Sequence, residues 1–147
     1  PIYFSAAPTD AAGLPIANKV AAGKRPRSSM APMIVMKAGK PYLMAGSPGG
    51  SAIINYVAKT LIGVLDWKLD VQQAIDLPNM GSRNKETELE RGTALENYQA
   101  DLRRMGHSVT IMPFPSGIQA IMLEKNNLTV NLTGAADSRR EGTARGD

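Results

Sequence analysis

The sequence predicts an α+β fold with antiparallel sheet. Two observations lead there: about five short apolar runs fall into two hairpin-like groups, and three helix-patterned segments lie between those groups instead of alternating singly with strands. At 147 residues, with 43% hydrophobic and 20% charged side chains, the chain fits one domain able to bury a core.

Residues 1–27 are rich in Ala, Pro and Gly without apolar periodicity, which predicts an irregular loop. A self-sufficient domain seldom starts with so long a structureless stretch, so this loop is expected to be functional or to pack on parts outside the chain. Met33–Lys37 and Pro41–Ala45 flank the turn Ala38-Gly39 and predict a hairpin. Their near-continuous apolarity predicts strands covered on both faces. Over 51–67, Ile53, Ile54, Val57, Leu61, Val64 and Leu65 recur at three- and four-residue spacings, predicting a helix with Ser51 as its N-cap. A shorter helix spans 70–77, with Asp70 near its start and Pro78 as its stop. Residues 79–86 read as polar loop, and Glu88-Leu89-Glu90 as a brief exposed strand whose acids discourage edge pairing. A third helix over 94–105 places Leu95, Tyr98, Leu102 and Met105 on one face and ends at Gly106. Strands follow at 108–112, 118–123 and 128–132, the last two joined by a turn at 124–127, and 134–142 reads as loop.

Several function classes are excluded early. Without cysteine, thiol catalysis, disulfides and zinc–thiolate sites are impossible, and the single His107 rules out a two-histidine metal site. No metal or cofactor is expected. The net charge of +4 sits mainly in 19–27 and 139–145, and aromatics make up only 5%, so no basic face with stacking residues is available for nucleic acid. No apolar run is long enough to span a bilayer. The chain opens on Pro1 without Met or a leader pattern, as a piece of a longer protein would. His107 follows a helix-ending glycine and reads as an exposed turn residue rather than part of a serine–histidine–aspartate triad. No serine lies in a G-x-S-x-G elbow, and the Asn127-Leu128-Thr129 and Asn131-Leu132-Thr133 sequons are formal matches within a hairpin.

What remains is a pair of motifs. Ser28 and Ser29 follow Lys24, Arg25 and Arg27, and can donate hydrogen bonds to an anion. Gly49 and Gly50 open the long helix, where free backbone N–H groups carry partial positive charge and a missing Cβ allows close approach. Neither dinucleotide nor phosphate-loop spacing is present. A serine pair bonding its own loop and a glycine pair relieving a tight turn also explain the residues. Spacing alone supports an anion pocket and names no reaction.

Three stretches taken together go further. Arg25-Pro26-Arg27-Ser28-Ser29-Met30-Ala31-Pro32, Gly46-Ser47-Pro48-Gly49-Gly50-Ser51 and Gly134-Ala135-Ala136-Asp137-Ser138-Arg139-Arg140-Glu141-Gly142 resemble, in order and interval, the small subunit of the γ-glutamyltransferase family. Ala58-Lys59-Thr60-Leu61 and Ala74-Ile75-Asp76-Leu77-Pro78 resemble its bacterial members, and the likeness runs from Phe4 onward. The resemblance implies part of an N-terminal nucleophile hydrolase, an αββα sandwich with antiparallel sheets, cut by autoproteolysis from a precursor into a large and a small subunit. It implies γ-glutamyl transfer from, or hydrolysis of, glutathione and related amides through a threonine acyl-enzyme. Ser28 and Ser29 would bind the substrate carboxylate, and Gly49 and Gly50 would form the oxyanion hole. The nucleophilic threonine would lie upstream of Pro1, so this chain alone would be inert. The implied partners are the large subunit and the N-terminal part of the small subunit, and the implied location is periplasmic or secreted. One departure stands out: Tyr3 precedes Phe4-Ser5 where the family has an aspartate for the substrate ammonium group. A phenol is a weaker ammonium partner than a carboxylate. Either the substrate lacks that ammonium group or residues 1–3 are foreign to the family register, and the alternatives are a glutaryl-type or other amide acylase of the same fold, or a non-catalytic anion-binding fragment.

Overall fold

In the computed structural model, which describes residues 2–125 and 129–146, the chain begins with a two-stranded pairing of β1 (Ile2–Tyr3) and β2 (Arg27–Ser28). The stretch between them is mainly irregular, tied by the bridges Ser5 to Lys19 and Thr9 to Pro15. The hairpin of β3 (Met33–Lys37) and β4 (Lys40–Gly46) follows, then a 3-10 turn at Gly50–Ala52 running into α1 (Ile53–Leu65), and then α2 (Val71–Asp76). The remaining elements are β5 (Met80–Ser82), β6 (Thr87–Glu90), a 3-10 turn at Ala94–Tyr98, α3 (Gln99–Arg104), β7 (Val109–Met112), β8 (Gln119–Lys125) and β9 (Val130–Ala136).

The larger sheet is antiparallel throughout, in the order β3-β4-β8-β9. Pairing sets Leu43 opposite Met122 and Ala45 opposite Ala120, so these side chains face the helices. There they form one core with Tyr56, Val64, Val71, Ala74, Ile75, Phe114 and Ile118. Each fully buried Leu, Ile or Val is worth about 1.5–3 kcal/mol. The predicted cover on both faces is met on the helix side alone. On the other face Ile34, Ile121 and Leu132 remain 62%, 46% and 66% exposed, because no layer lies against it among the described residues except the stretch near Ala144.

Several boundaries move. Ser51 does not cap α1; Ala52 stands there, and Ser51, inside the 3-10 turn, accepts a hydrogen bond from Arg83 at 2.6 Å. Ile54 faces outward at 57% exposure, while Tyr56 and Thr60 fill the buried stripe. Asp70 does cap α2, accepting from the Gln73 N–H at 2.8 Å while Gln73 Oε1 accepts from the Asp70 N–H. Part of the expected loop at 79–86 is β5, and Asn79 is buried. Glu88-Leu89-Glu90 lies in the middle strand of the sheet β5-β6-β7, and Glu90 is only 7% exposed. A charge can sit so deep because Arg139 reaches it. The β6–β7 pair is parallel, an exception to the expected antiparallel pattern that the intervening helical crossover makes possible. Tyr98 and Met105 are exposed, because half of the expected third helix is 3-10, where the three-to-four spacing no longer holds one face. Strand β9 takes in Gly134, Ala135 and Ala136, which sequence alone left in a loop. The expected turn at Asn126 and Asn127 lies outside the described residues, as does most of the first sequon; the second lies in β9. No helix among the described residues is long and apolar enough to cross a membrane.

The carbonyls closing α2 hold two cations. Lys59 Nζ donates to Ile75 O at 2.8 Å and Leu77 O at 2.5 Å, and Arg139 donates to the same two oxygens at 3.3 and 3.2 Å. Burial, and next the Arg139 charge, push the Lys59 ammonium down from 10.5 to about 8. Between those values the unfolded state holds the extra proton, so stability should rise with pH across that interval. Urea unfolding of the complete protein at pH 7.5, 8.5 and 9.5 checks this: Lys59→Met should flatten the rise, and an unchanged slope would refute the assignment.

Candidate functional site

The two motifs singled out in the sequence meet. Leaving β2, the chain turns so that Ser29 Oγ donates a 2.8 Å hydrogen bond to Gly50 O, across 21 positions of sequence. The same oxygen accepts the N–H of Ile53 at the end of the 3-10 turn. Ser28 is arranged differently. Its hydroxyl oxygen accepts the Met30 N–H at 3.2 Å, and its O–H finds no acceptor among the described residues. The backbone of Ile2 lies opposite Ser28 and that of Tyr3 opposite Arg27, so the antiparallel strand runs away from the serine pair toward Phe4-Ser5.

Gly49 has φ 134° and Gly50 φ 66°, both in the region that disfavours side chains. A Cβ built on Gly49 would stand 2.5 Å from Tyr56 Cε2, so the loop lies directly on that ring. Tyr56 is 2% exposed and meets Phe114 edge-on, at 6.2 Å between centroids and 71° between planes. Burial, then the neighbouring Glu90 charge, raises the Tyr56 phenol above its ordinary value, which keeps it neutral. The Gly49 and Gly50 N–H groups make no hydrogen bond among the described residues. At the mouth of a helix such groups favour a carboxylate or a developing oxyanion.

The third motif and the glycine loop meet at Gly117. Gly117 N–H donates to Ser47 Oγ at 3.2 Å, and a Cβ on Gly117 would touch both Pro48 Cγ at 2.9 Å and Arg140 Cδ at 2.7 Å. The tail and the loop that carries Gly49 thus pack on the same glycine. Its anchor is Asp137, fully buried, which accepts from Ser116 Oγ at 2.6 Å, from the Arg139 N–H at 3.0 Å and from Arg139 Nη1 at 3.2 Å. Arg139 in turn grips both oxygens of Glu90 through Nε and Nη2. Burial alone would raise the Asp137 carboxyl; the Ser116 hydroxyl, the Arg139 N–H and charge, and the Ile118 N–H outweigh it and hold the group below the usual carboxylate range. Asn79 completes the network, donating to Ser116 Oγ at 3.2 Å and, through its N–H, to Glu90 Oε2 at 2.6 Å.

Sequence reasoning gave no role to Tyr56, Asn79 or Ser116, and read Glu90 as a solvated edge. The close spacing of Asp137, Ser138, Arg139 and Arg140 was a visible sign of a charge network, but its partner at 90 lies 49 positions away. His107 is exposed as expected, its Nδ1 3.3 Å from Thr87 Oγ1.

Comparison with known proteins identifies the relatives of this chain. The model of the gamma-glutamyltranspeptidase family matches residues 3–146. The chain is 34% identical over 131 residues to the glutathione hydrolase proenzyme of Bacillus subtilis, covering 88% of this chain and 22% of that protein. It is 32% identical over 128 residues to the acylase ACY 1 proenzyme of a Pseudomonas strain, covering 86% of this chain and 22% of that one. Among solved structures, a mutant of Helicobacter pylori gamma-glutamyltranspeptidase superposes with a TM-score of 0.81 at 31% identity, over 93% of this chain and 77% of that chain. The chain thus spans about a fifth of the length of the curated relatives it matches. The fold is accordingly part of an N-terminal nucleophile hydrolase sandwich of the α+β class. Matched over all but its first two residues and its last, the chain belongs to the gamma-glutamyltranspeptidase family.

Proposed function

We propose that this chain is the C-terminal part of a small subunit that holds the acyl donor in γ-glutamyl transfer or hydrolysis, with glutathione and related γ-glutamyl amides as substrates. The 2.8 Å bond from Ser29 to Gly50 supports this reading most directly, because it makes one site of the hydroxyl pair and the glycine pair. The serine end, beside Arg25 and Arg27, takes the substrate carboxylate. The scissile carbonyl then lies over Gly49 and Gly50. An N-terminal threonine, supplied by a part of the protein outside this chain, attacks the carbonyl carbon while its own α-amine takes the hydroxyl proton. Charge that builds on the carbonyl oxygen is met by the two glycine N–H groups, and the amine leaves with the proton. Water or a second amine then attacks the acyl-enzyme.

The partners on this reading are the rest of the small subunit and a large subunit from the same precursor, in keeping with relatives named as proenzymes. Residues 1–27 and the open face carrying Ile34, Met44 and Ile121 would pack against them. The complete protein would work in the periplasm or outside the cell, as the family resemblance implies.

A second reading, an acylase for glutaryl or similar amides, is favoured by Tyr3 standing before Phe4-Ser5 in place of an aspartate and by the acylase relatives. One assay separates the two. The complete, processed protein should hydrolyse a γ-glutamyl anilide with kcat/KM at least about tenfold above that for the glutaryl anilide, since only the first carries the ammonium group. The reverse preference would replace the first reading by the second, and no turnover of either would refute both.

A further inference from the structure

We propose that the serine pair divides its labour: Ser28 alone donates to the carboxylate, and Ser29 is a positioning residue of the oxyanion hole. This rests on the acyl-donor reading above. A serine hydroxyl has one hydrogen to give. Ser29 spends it inside the protein, on Gly50 O, so it cannot also donate to an incoming acid without releasing the glycine loop. Among the described residues Ser28 uses its oxygen as an acceptor alone, from Met30, which leaves its O–H for a ligand.

The place where Ser29 spends its proton matters. Gly50 O takes two hydrogen bonds, from Ser29 and from the Ile53 N–H, and these fix the peptide plane that follows Gly50. Gly50, with φ at 66°, belongs to the residue class with the widest backbone freedom, and anchoring its carbonyl limits how far its Cα, and the N–H attached to it, can shift. On the other side the Gly49 backbone rests on the Tyr56 ring. The loop is therefore held between a hydrogen bond on one flank and an aromatic face on the other. Oxyanion donors act through being aimed in advance at the place where charge develops, so loosening them weakens the transition state more than the bound substrate.

Kinetics of the complete, processed enzyme test the division, using whichever of the γ-glutamyl or glutaryl anilides it turns over; both carry the carboxylate. Ser29→Ala should lower kcat at least about tenfold and move KM by no more than about twofold. Ser28→Ala should do the opposite, raising KM about tenfold or more with kcat nearly kept. Ser29→Thr, which restores the hydroxyl, should recover most of the lost kcat, an outcome that mere loosening of the loop by a smaller side chain would not give. If Ser29→Ala raises KM like Ser28→Ala and spares kcat, Ser29 is a second carboxylate ligand; the division fails while the acyl-donor site stands. If neither substitution changes either constant, the acyl-donor site itself is refuted. Should Ser29→Ala block maturation, a Ser29→Thr enzyme with unaltered kcat and KM still supports a hydroxyl requirement at 29, and a Thr variant that loses kcat overturns it.

Discussion

Replacing Gly49 by alanine should lower kcat of the complete enzyme by about two to three orders of magnitude, the loss seen when an oxyanion donor is removed. The cause is twofold. The new methyl would stand 2.5 Å from Tyr56 Cε2, and the Tyr56 ring cannot retreat, being packed edge-on against Phe114 in the core. The backbone must then move, and φ 134° is a conformation that L side chains rarely adopt in any case. On the proposed acyl-donor reading, loop displacement carries the Gly49 N–H away from the developing oxyanion, so kcat should fall further than KM rises. Shrinking the ring offers a control. Tyr56→Leu on the Gly49→Ala background opens space but leaves φ unfavourable, so activity should return only in part. Wild-type kcat in Gly49→Ala would sink the placement of the oxyanion hole.

The largest effect on stability should come from Arg139→Ala, about 3–5 kcal/mol, the cost of leaving buried charge unpaired. Without the guanidinium, Glu90 at 7% exposure and Asp137 at 0% lose their cation together, and the carbonyls of Ile75 and Leu77 lose a donor. Lysine at 139 should not restore the loss, because it lacks the planar fork that meets both Glu90 oxygens. By contrast Arg83→Ala breaks a pair whose guanidinium is 45% exposed and should cost less than about 1 kcal/mol. Denaturant midpoints of the complete protein separate these cases, and equal shifts for positions 83 and 139 would contradict the buried network. Acid provides a second readout. The Asp137 carboxyl is depressed below its ordinary 3.8, so its stabilisation is present above that value and lost as pH falls through the lower folded-state one. In Arg139→Ala that acid-sensitive portion should shrink.

What the sequence revealed followed how local each signal was. The hairpin at 33–46, the helix after Gly50 and the cap at Asp70 rest on neighbours within a few positions, and all three form. Glu90 shows the opposite case. Two acids flanking one leucine read as a solvated edge, and only a cation from the tail turns that strand into the middle of a sheet. Ser51 had the chemistry of an N-cap, yet a 3-10 turn moved the helix start past it and Arg83 took its hydroxyl. At the candidate site, residue types and motif order singled out Ser28, Ser29, Gly49 and Gly50, and the structure brings Ser29 to Gly50. They could not foretell that Ser29 would spend its proton on Gly50, because that depends on the path of the intervening hairpin.

That path also bears on when the site comes into being. The Ser29–Gly50 bond closes a loop of 21 positions around a single hairpin, whereas the Arg139–Glu90 clamp must gather chain 49 positions apart. Loop-closure entropy grows only slowly with length, but search time favours short-range partners. During folding the glycine loop is thus expected to acquire its Ser29 tether in the same event that zips β3 to β4. Its brace from the tail arrives later, after synthesis has delivered the last strands.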